Sequence, residues 1–344
     1  CSAGVLFNSV VVAQDIPAPS SELSQLYLKA QNHPSVAYAV DQLSVAKTEL
    51  DGAQWGYYPS LSVDGTSPVD DASQLSFSVE QPLYTAGRVG ASVASATHGV
   101  DIAVQQVDET LLNVKLQIAI AYADLLRADY RAEVANANIE ELRLLHEVIS
   151  RRVEQQITPR AEQTLVFARL QQARSELFQI DGLREQAKNR IQTATGESLS
   201  KAQKLSCNLP AQMSEARLYE SALEFSPAMD RLGSSRQQAN ADVSVAQANQ
   251  WPKLVLGAQH ITDSSFNGDS DSSLFFGFRY QLQDGLSVRS QIGTAKAMLS
   301  AVNSSERLFI EELRQQVASL VRDYQAADNQ LEPLQNLVAS NQDL

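Results

Sequence analysis

Trp55-Gly56-Tyr57-Tyr58-Pro59-Ser60-Leu61-Ser62-Val63 and Asn249-Gln250-Trp251-Pro252-Lys253-Leu254-Val255-Leu256 are two versions of one phrase. Each places a tryptophan and a proline at the end of a helix-like stretch and then runs into a strand-like one. A second pair of prolines precedes them, in Asn32-His33-Pro34 and Phe225-Ser226-Pro227. Pro227 follows Pro34, and Pro252 follows Pro59, by the same 193 residues. A duplicated helix-then-strand unit restricts the fold more than any single motif in the chain.

Beyond Pro59, Leu61, Val63 and Gly65 alternate with Ser62, Asp64 and Thr66. After an Asp70-Asp71 turn, Leu75, Phe77 and Val79 alternate with Ser76, Ser78 and Glu80. This period of two predicts a hairpin with one apolar and one polar face. The second copy predicts a strand near Lys253–Ile261, a turn from Asp263 to Ser273, and a second strand. In that strand Leu274, Phe276, Phe278, Tyr280 and Leu282 oppose Phe275, Gly277, Arg279 and Gln281.

Helical spacing fills the rest. Ser20 is placed to cap a first helix through Leu23, Leu26 and Ala30, and Pro34 suits the first turn of the next. That helix carries Val36, Val40, Leu43, Ala46, Leu50 and Ala53. After Arg88 a seam runs through Val100, Val104, Val107, Leu111, Val114, Ile118, Ala121, Leu125, Ala128, Ala132, Ala135, Ile139, Leu142, His146, Ile149 and Val153. Its steps of four and three are those of a coiled coil. A helix from Arg88 to Gln155 would be about 100 Å long. Ile157-Thr158-Pro159-Arg160 breaks it, with Thr158 the expected cap of a returning helix through Val166, Leu170, Ala173, Leu177, Ile180, Ala187, Ile191 and Ala194. Thr195-Gly196 stops that helix. After a linker through Leu209-Pro210, the second copy predicts a helix over 214–250. Its closing helix carries Val288, Ile292, Ala295, Leu299, Val302, Leu313, Val317, Leu320, Tyr324, Ala327 and Leu331.

The chain has 344 residues, a net charge of −13 and 6% aromatic residues. Low aromatic content suits long helices packed along narrow seams, and the acidic balance argues against nucleic acid. Cys1 and Cys207 form no disulfide framework, and four scattered histidines suggest no metal cluster. No nucleophile–base pair, phosphate loop or metal-ligand spacing is present, so no catalytic, cofactor or metal site is expected. No run of 18 apolar residues occurs, which leaves a membrane β-barrel open. Residues 1–19 read as a signal-peptide remnant with cleavage near Ala13, or with Cys1 as a lipidated start. Residues 20–209 read as the first repeat, and 210–344 as a second one that stops before its tip and return helix.

Each copy supplies two strands, four per chain, so closing a barrel takes several chains, and three give twelve strands. Leu75, Phe77, Val79, Leu274, Phe276, Phe278 and Tyr280 would then face lipid, with the Ser, Glu, Arg and Gln rows facing a water-filled lumen. The alternative is a soluble hairpin packed on helices.

Helix–strand–strand–long helix–turn–helix, written twice, resembles the TolC family of outer-membrane efflux proteins. The resemblance rests on Asn32-His33-Pro34 with its helix into Gly56-Tyr57-Tyr58-Pro59-Ser60-Leu61. It rests also on the strand exit Gln81-Pro82-Leu83-Tyr84-Thr85-Ala86-Gly87-Arg88, which matches the family's Q-P-L-[FY]-x-x-G-R pattern. The second exit, Tyr280-Gln281-Leu282-Gln283-Asp284-Gly285, departs from it by losing the proline.

The resemblance implies an α+β membrane protein with long coiled-coil helical hairpins and two β-hairpins per chain. Three chains would form a twelve-stranded barrel above a periplasmic helical tunnel. It implies a homotrimer in the outer membrane of a Gram-negative bacterium, engaging outer-membrane lipid, a periplasmic adaptor and an inner-membrane ABC or RND transporter. The expected adaptor contact is the tip, Gln156, Ile157, Thr158, Pro159 and Arg160, with Arg151 and Arg152 beside it. Pro59, Gln81, Pro82, Gly87, Trp251 and Pro252 are expected at the junction of barrel and helices, with Trp55, Tyr57 and Tyr58 as an aromatic belt. The tip, with Ala161-Glu162 and Ala168-Arg169-Leu170 behind it, looks more like the type I secretion branch than the small-molecule efflux branch. A periplasmic coiled-coil adaptor and a soluble structural coiled coil are the competing readings.

Overall fold

The computed structural model describes residues 21–66, 74–203, 214–263, 270–280 and 282–342. The leader-like segment with Cys1, the Asp70-Asp71 turn, Cys207, the Leu209-Pro210 linker, residues 264–269, Gln281 and the side chains of 282–286 lie outside the described residues. The chain divides into two compact units, Cys1–Ala37 with Thr110–Gln212 and Tyr38–Glu109 with Met213–Leu344. The division does not follow the repeats, because Tyr38–Glu109 of the first copy belongs with the second.

In the first unit, α1 (Ser21–Lys29) packs with the later part of α3 (Arg88–Glu154) and with α4 (Arg160–Thr195). Its core joins Leu23 and Leu26 of α1 to Val114, Ile118, Ala121, Tyr122 and Leu125 of α3 and to Ala187, Ile191 and Ala194 of α4. Nearly all are seam positions of the heptad pattern, and the alanines let the helix backbones approach closely. Tyr122 lies off that seam and is wholly buried. Its hydroxyl donates to the Glu22 carboxylate at 2.7 Å, and the Gln203 N–H donates to the same oxygen at 3.0 Å. Asp129, 6% exposed at its side chain, lies 2.6 Å from Arg184 and accepts the Ala202 N–H at 3.1 Å. Two polar clasps thus fasten the segment after α4 to the helices. Gly196, at φ 78°, ends α4 with its N–H on the Gln192 carbonyl, as its glycine stop predicts.

The second unit holds the sheet and the helices beside it. The helix expected over 214–250 is two, α5 (Glu215–Glu224) and α6 (Pro227–Ala248). Pro227 lacks an N–H and forces Ser226 into extended backbone, so the ladder cannot cross it. Ser226 then caps α6 by accepting the Met229 N–H. The first copy repeats the device at the start of α2 (Pro34–Gln54), where Ser35 N–H donates to His33 Nδ1 at 3.2 Å. Both α5 and α6 pack on α7 (Leu282–Gln342), with Arg314 over the Tyr219 ring. Val321, not Leu320, continues the α7 seam after Val317, because the step there is four: Val321 is buried and Leu320 is 67% exposed.

Strands β1 (Ser60–Thr66), β2 (Gln74–Tyr84), β3 (Lys253–Asp263) and β4 (Ser270–Arg279) form one antiparallel sheet in chain order. The second turn is shorter than expected, since Asp263 and Ser270–Ser273 belong to strands. Strands β2 and β3 are separated in the chain by α3 to α6, yet they pair from Gln74↔Asp263 to Tyr84↔Leu254 and join the hairpins of the two copies.

Candidate functional site

The register decides what the sheet does. Leu61 pairs with Val79, Val63 with Phe77 and Gly65 with Leu75, so the apolar rows of the first hairpin share one face. Val79 pairs with Ala258 and Phe77 with His260, and Ala258 pairs with Leu274, Leu256 with Phe276 and Leu254 with Phe278. Both oily faces therefore become one. Ser62, Ser78, Gln259 and Ser273 mark the other face.

Burial on this sheet runs opposite to that of a soluble protein. Leu75, Phe77 and Val79 are each 41% exposed, Leu274 is 84%, Phe276 67% and Phe278 76%. Ser76, Ser78 and Glu80 between them are half-buried. The outer strands β1 and β4 each have a neighbour on one side only. Such a face is unstable in water, and unpaired edges are unstable in lipid. Both are satisfied together only when further strands close the sheet. Tyr280 stands just past the end of β4, 42% exposed.

On the polar face, Glu80 and Arg279 form a bidentate pair at 2.9 and 2.5 Å, spanning from β2 to β4. Sequence spacing does not show this pair. Its only signal is two opposite charges, one in the Ser-rich row of β2 and one at the end of β4.

The junction residues cluster where the strands meet the helices. Tyr58-Pro59 opens β1, and Gln81 Nε2 donates to the Tyr57 carbonyl at 3.0 Å, tying strand exit to strand entry. At Pro82 the β2–β3 register shifts, since proline has no N–H for the ladder. Ala86 and Gly87 both take positive φ, 51° and 81°, and turn the chain into α3. Trp251 and Pro252 lead into β3, with the Trp251 N–H on the Ala248 carbonyl. Trp55 and Tyr58 are in ring contact at 5.4 Å, and Trp55, Tyr57, Tyr58 and Trp251 are all exposed.

At the helical tip, α3 ends in a reciprocal pair of backbone bonds. Ile157 N–H donates to Arg152 O at 2.9 Å and Gln156 N–H to Val153 O at 3.0 Å, with Gln156 at φ 59°. This is the Schellman arrangement, here without its usual glycine. The residue before α4 is Pro159, with no side-chain cap, so Thr158 does not hold the role expected of it. Proline keeps the preceding backbone extended, and Thr158 falls one position too early. Ile157 is left 68% exposed. Arg151 donates to Glu147 O of its own helix, and His146 lies on the seam against Phe167, ring to ring at 5.7 Å. Gln156→Gly relieves the left-handed backbone and is expected to stabilise the tip by about 1 kcal/mol. Thermal unfolding of the purified protein in detergent measures it.

Among the described residues, no group of three or more His, Cys, Asp or Glu side chains is placed to hold a metal ion. No helix among them is long and apolar enough to cross a membrane.

Comparison with known proteins follows the same lines. The family model for the outer membrane efflux protein matches residues 26–197. A membrane protein from Pseudomonas aeruginosa has a similar structure, with a TM-score of 0.81 at 16% identity over 96% of this chain and 85% of that one. The outer-membrane channel OprN gives 0.78 at 18% identity over 91% and 76%. The outer membrane protein VceC from Vibrio cholerae gives 0.76 at 17% identity over 93% and 82%. No curated protein matches the chain in sequence.

Proposed function

The chain belongs to the outer membrane efflux protein family, and on that premise we propose that three copies close their sheets into one twelve-stranded barrel, the outer conduit of a tripartite export machine. The family is one of the outer membrane, and in this reading the long helices extend into the periplasm. The observation that carries the proposal is the sheet with an exposed apolar face and two edges open to pairing. Four strands cannot close by themselves, whereas twelve enclose a water-filled bore lined by the Ser, Glu, Arg and Gln rows. The conduit catalyses nothing, and each repeat contributes one hairpin to the barrel.

The test is direct. Detergent-extracted protein is expected to cross-link as a trimer, to fractionate with outer membranes and to conduct ions in planar bilayers. A monomer in the soluble fraction overturns the proposal.

The tip, Gln156 to Arg160, is the adaptor contact in this reading, because Ile157 offers an apolar knob on a backbone fixed by two hydrogen bonds. Ile157→Asp is expected to weaken adaptor binding by about 1–3 kcal/mol, roughly the worth of a buried aliphatic side chain. Pull-down with the adaptor measures it, and trimer yield should not change. The tip sequence favours protein cargo over small molecules. Export assays with an ABC transporter and its adaptor, against the same assays with an RND pump, decide between them.

A further inference from the structure

Among the described strand residues, the polar face of the sheet carries one aromatic ring, Phe275. It pairs with Gly257 on β3, and the next residue on its own face of β4 is Gly277. A methyl group on Gly257 would stand 2.7 and 2.8 Å from Phe275 Cε1 and Cε2, and closer still to Cζ. The ring therefore lies in the space that a side chain at 257 would fill. A methyl group on Gly277 would stand 3.8 Å from Cδ2. Gly257 is buried although it sits on an open sheet, and Phe275 is half-buried. The apolar rings on the opposite face, Phe276 and Phe278, stand free at 67% and 76% exposure. Neither glycine has a positive φ, so neither is required by its backbone conformation. What the position at 257 supplies is room.

We propose that Gly257 is a positioning residue for the bore: it lets the Phe275 ring lie flat on the wall, and so keeps three rings, one per chain, out of the conducting path. This rests on the reading of the polar face as the lumen of a trimeric channel. With a side chain at 257, the ring has two ways out. It rises from the wall into the lumen, or it strains the β3–β4 ladder beneath it. Both follow from one steric conflict, and removing the ring cures both. The Glu80–Arg279 pair bounds the same patch, since Glu80 is the β2 partner of Gly257.

The experiment compares wild type, Gly257→Ala, Phe275→Ala and the double variant, as full chains purified from membranes. Single-channel conductance in planar bilayers is read first. Gly257→Ala is expected to lower it, Phe275→Ala to leave it at or slightly above the wild-type value, and the double variant to match Phe275→Ala. Thermal unfolding is read on the same samples: Gly257→Ala should lose stability, and Phe275→Ala in the same chain should return it. An inserted Gly257→Ala trimer that conducts like wild type overturns the proposal. So does a double variant as impaired as Gly257→Ala, or a large rise in conductance from Phe275→Ala alone, which would mean that the ring already projects. A wild-type protein that does not conduct overturns the channel reading instead, and the unfolding data still report whether ring and glycine are coupled.

Discussion

Phe276→Arg is expected to cost about 2–4 kcal/mol per chain and to remove most folded trimer from the outer membrane, whereas Ser78→Arg is expected to cost about 0–1 kcal/mol. The two positions lie on opposite faces of one sheet. Phe276 sits in the middle of the apolar band, paired with Leu256 and followed on the same strand by Phe278. In the proposed barrel, a guanidinium there must be carried into hydrocarbon or drawn to its edge. Ser78 pairs with Ser62 and Gln259 on the polar face, where its hydroxyl meets that of Ser62 at 2.7 Å. A long cation there extends into water. Trimer recovered from outer membranes, resolved by electrophoresis with and without heating, measures both. Equal losses from the two variants would mean that the sheet does not separate lipid from water.

The second large effect lies far from the strands in sequence and concerns the first compact unit. Asp129→Ala is expected to destabilise the protein by about 3–5 kcal/mol, the usual result of removing one partner of a buried ion pair. It strands the Arg184 guanidinium, whose side chain is 30% exposed, and leaves the Ala202 N–H without its acceptor. Arg184→Ala added to Asp129→Ala should recover part of the loss, because no unpaired charge is then left behind. Arg143→Ala is the control. Arg143 bonds Glu140 and Glu147 on the α3 surface, and its hydrogen bonds hold the Glu140 carboxyl below the usual range. These groups lie in water, so this loss should be small beside that of Asp129→Ala. Chemical denaturation of the detergent-solubilised protein separates the variants. A result in which Asp129→Ala and Arg143→Ala lose alike would show that the Asp129 clasp carries no special weight.

Much of this architecture is written in the chain. Period two in Leu75–Val79 and Leu274–Phe278, period three-four along α3, and the equal spacing of two proline pairs are local signals. Each reflects a constraint that a short stretch of backbone meets by itself. Where a neighbouring residue alters the backbone, the reading slips: Pro227 divides α5 from α6, Pro159 displaces Thr158 from the cap, and a four-residue step moves the α7 seam to Val321. Those are short-range effects too, and the first two follow from proline's missing N–H and the extended backbone it imposes on the residue before it.

Sequence by itself determined the element types, the two faces of each hairpin and the duplication, because these depend on residues within a turn or two of one another. It could not determine that β2 pairs with β3, since nothing local ties Val79 to Ala258. Only the tertiary structure decided that pairing, and with it the single apolar face, the Glu80–Arg279 bridge and the ring of Phe275 lying on Gly257. It likewise decided that Tyr122 and Asp129, off the heptad seam, are buried by the segment after α4. Pairing over such separations is chosen by the summed burial and hydrogen bonding of whole strands and helices, a quantity that no window of the sequence contains.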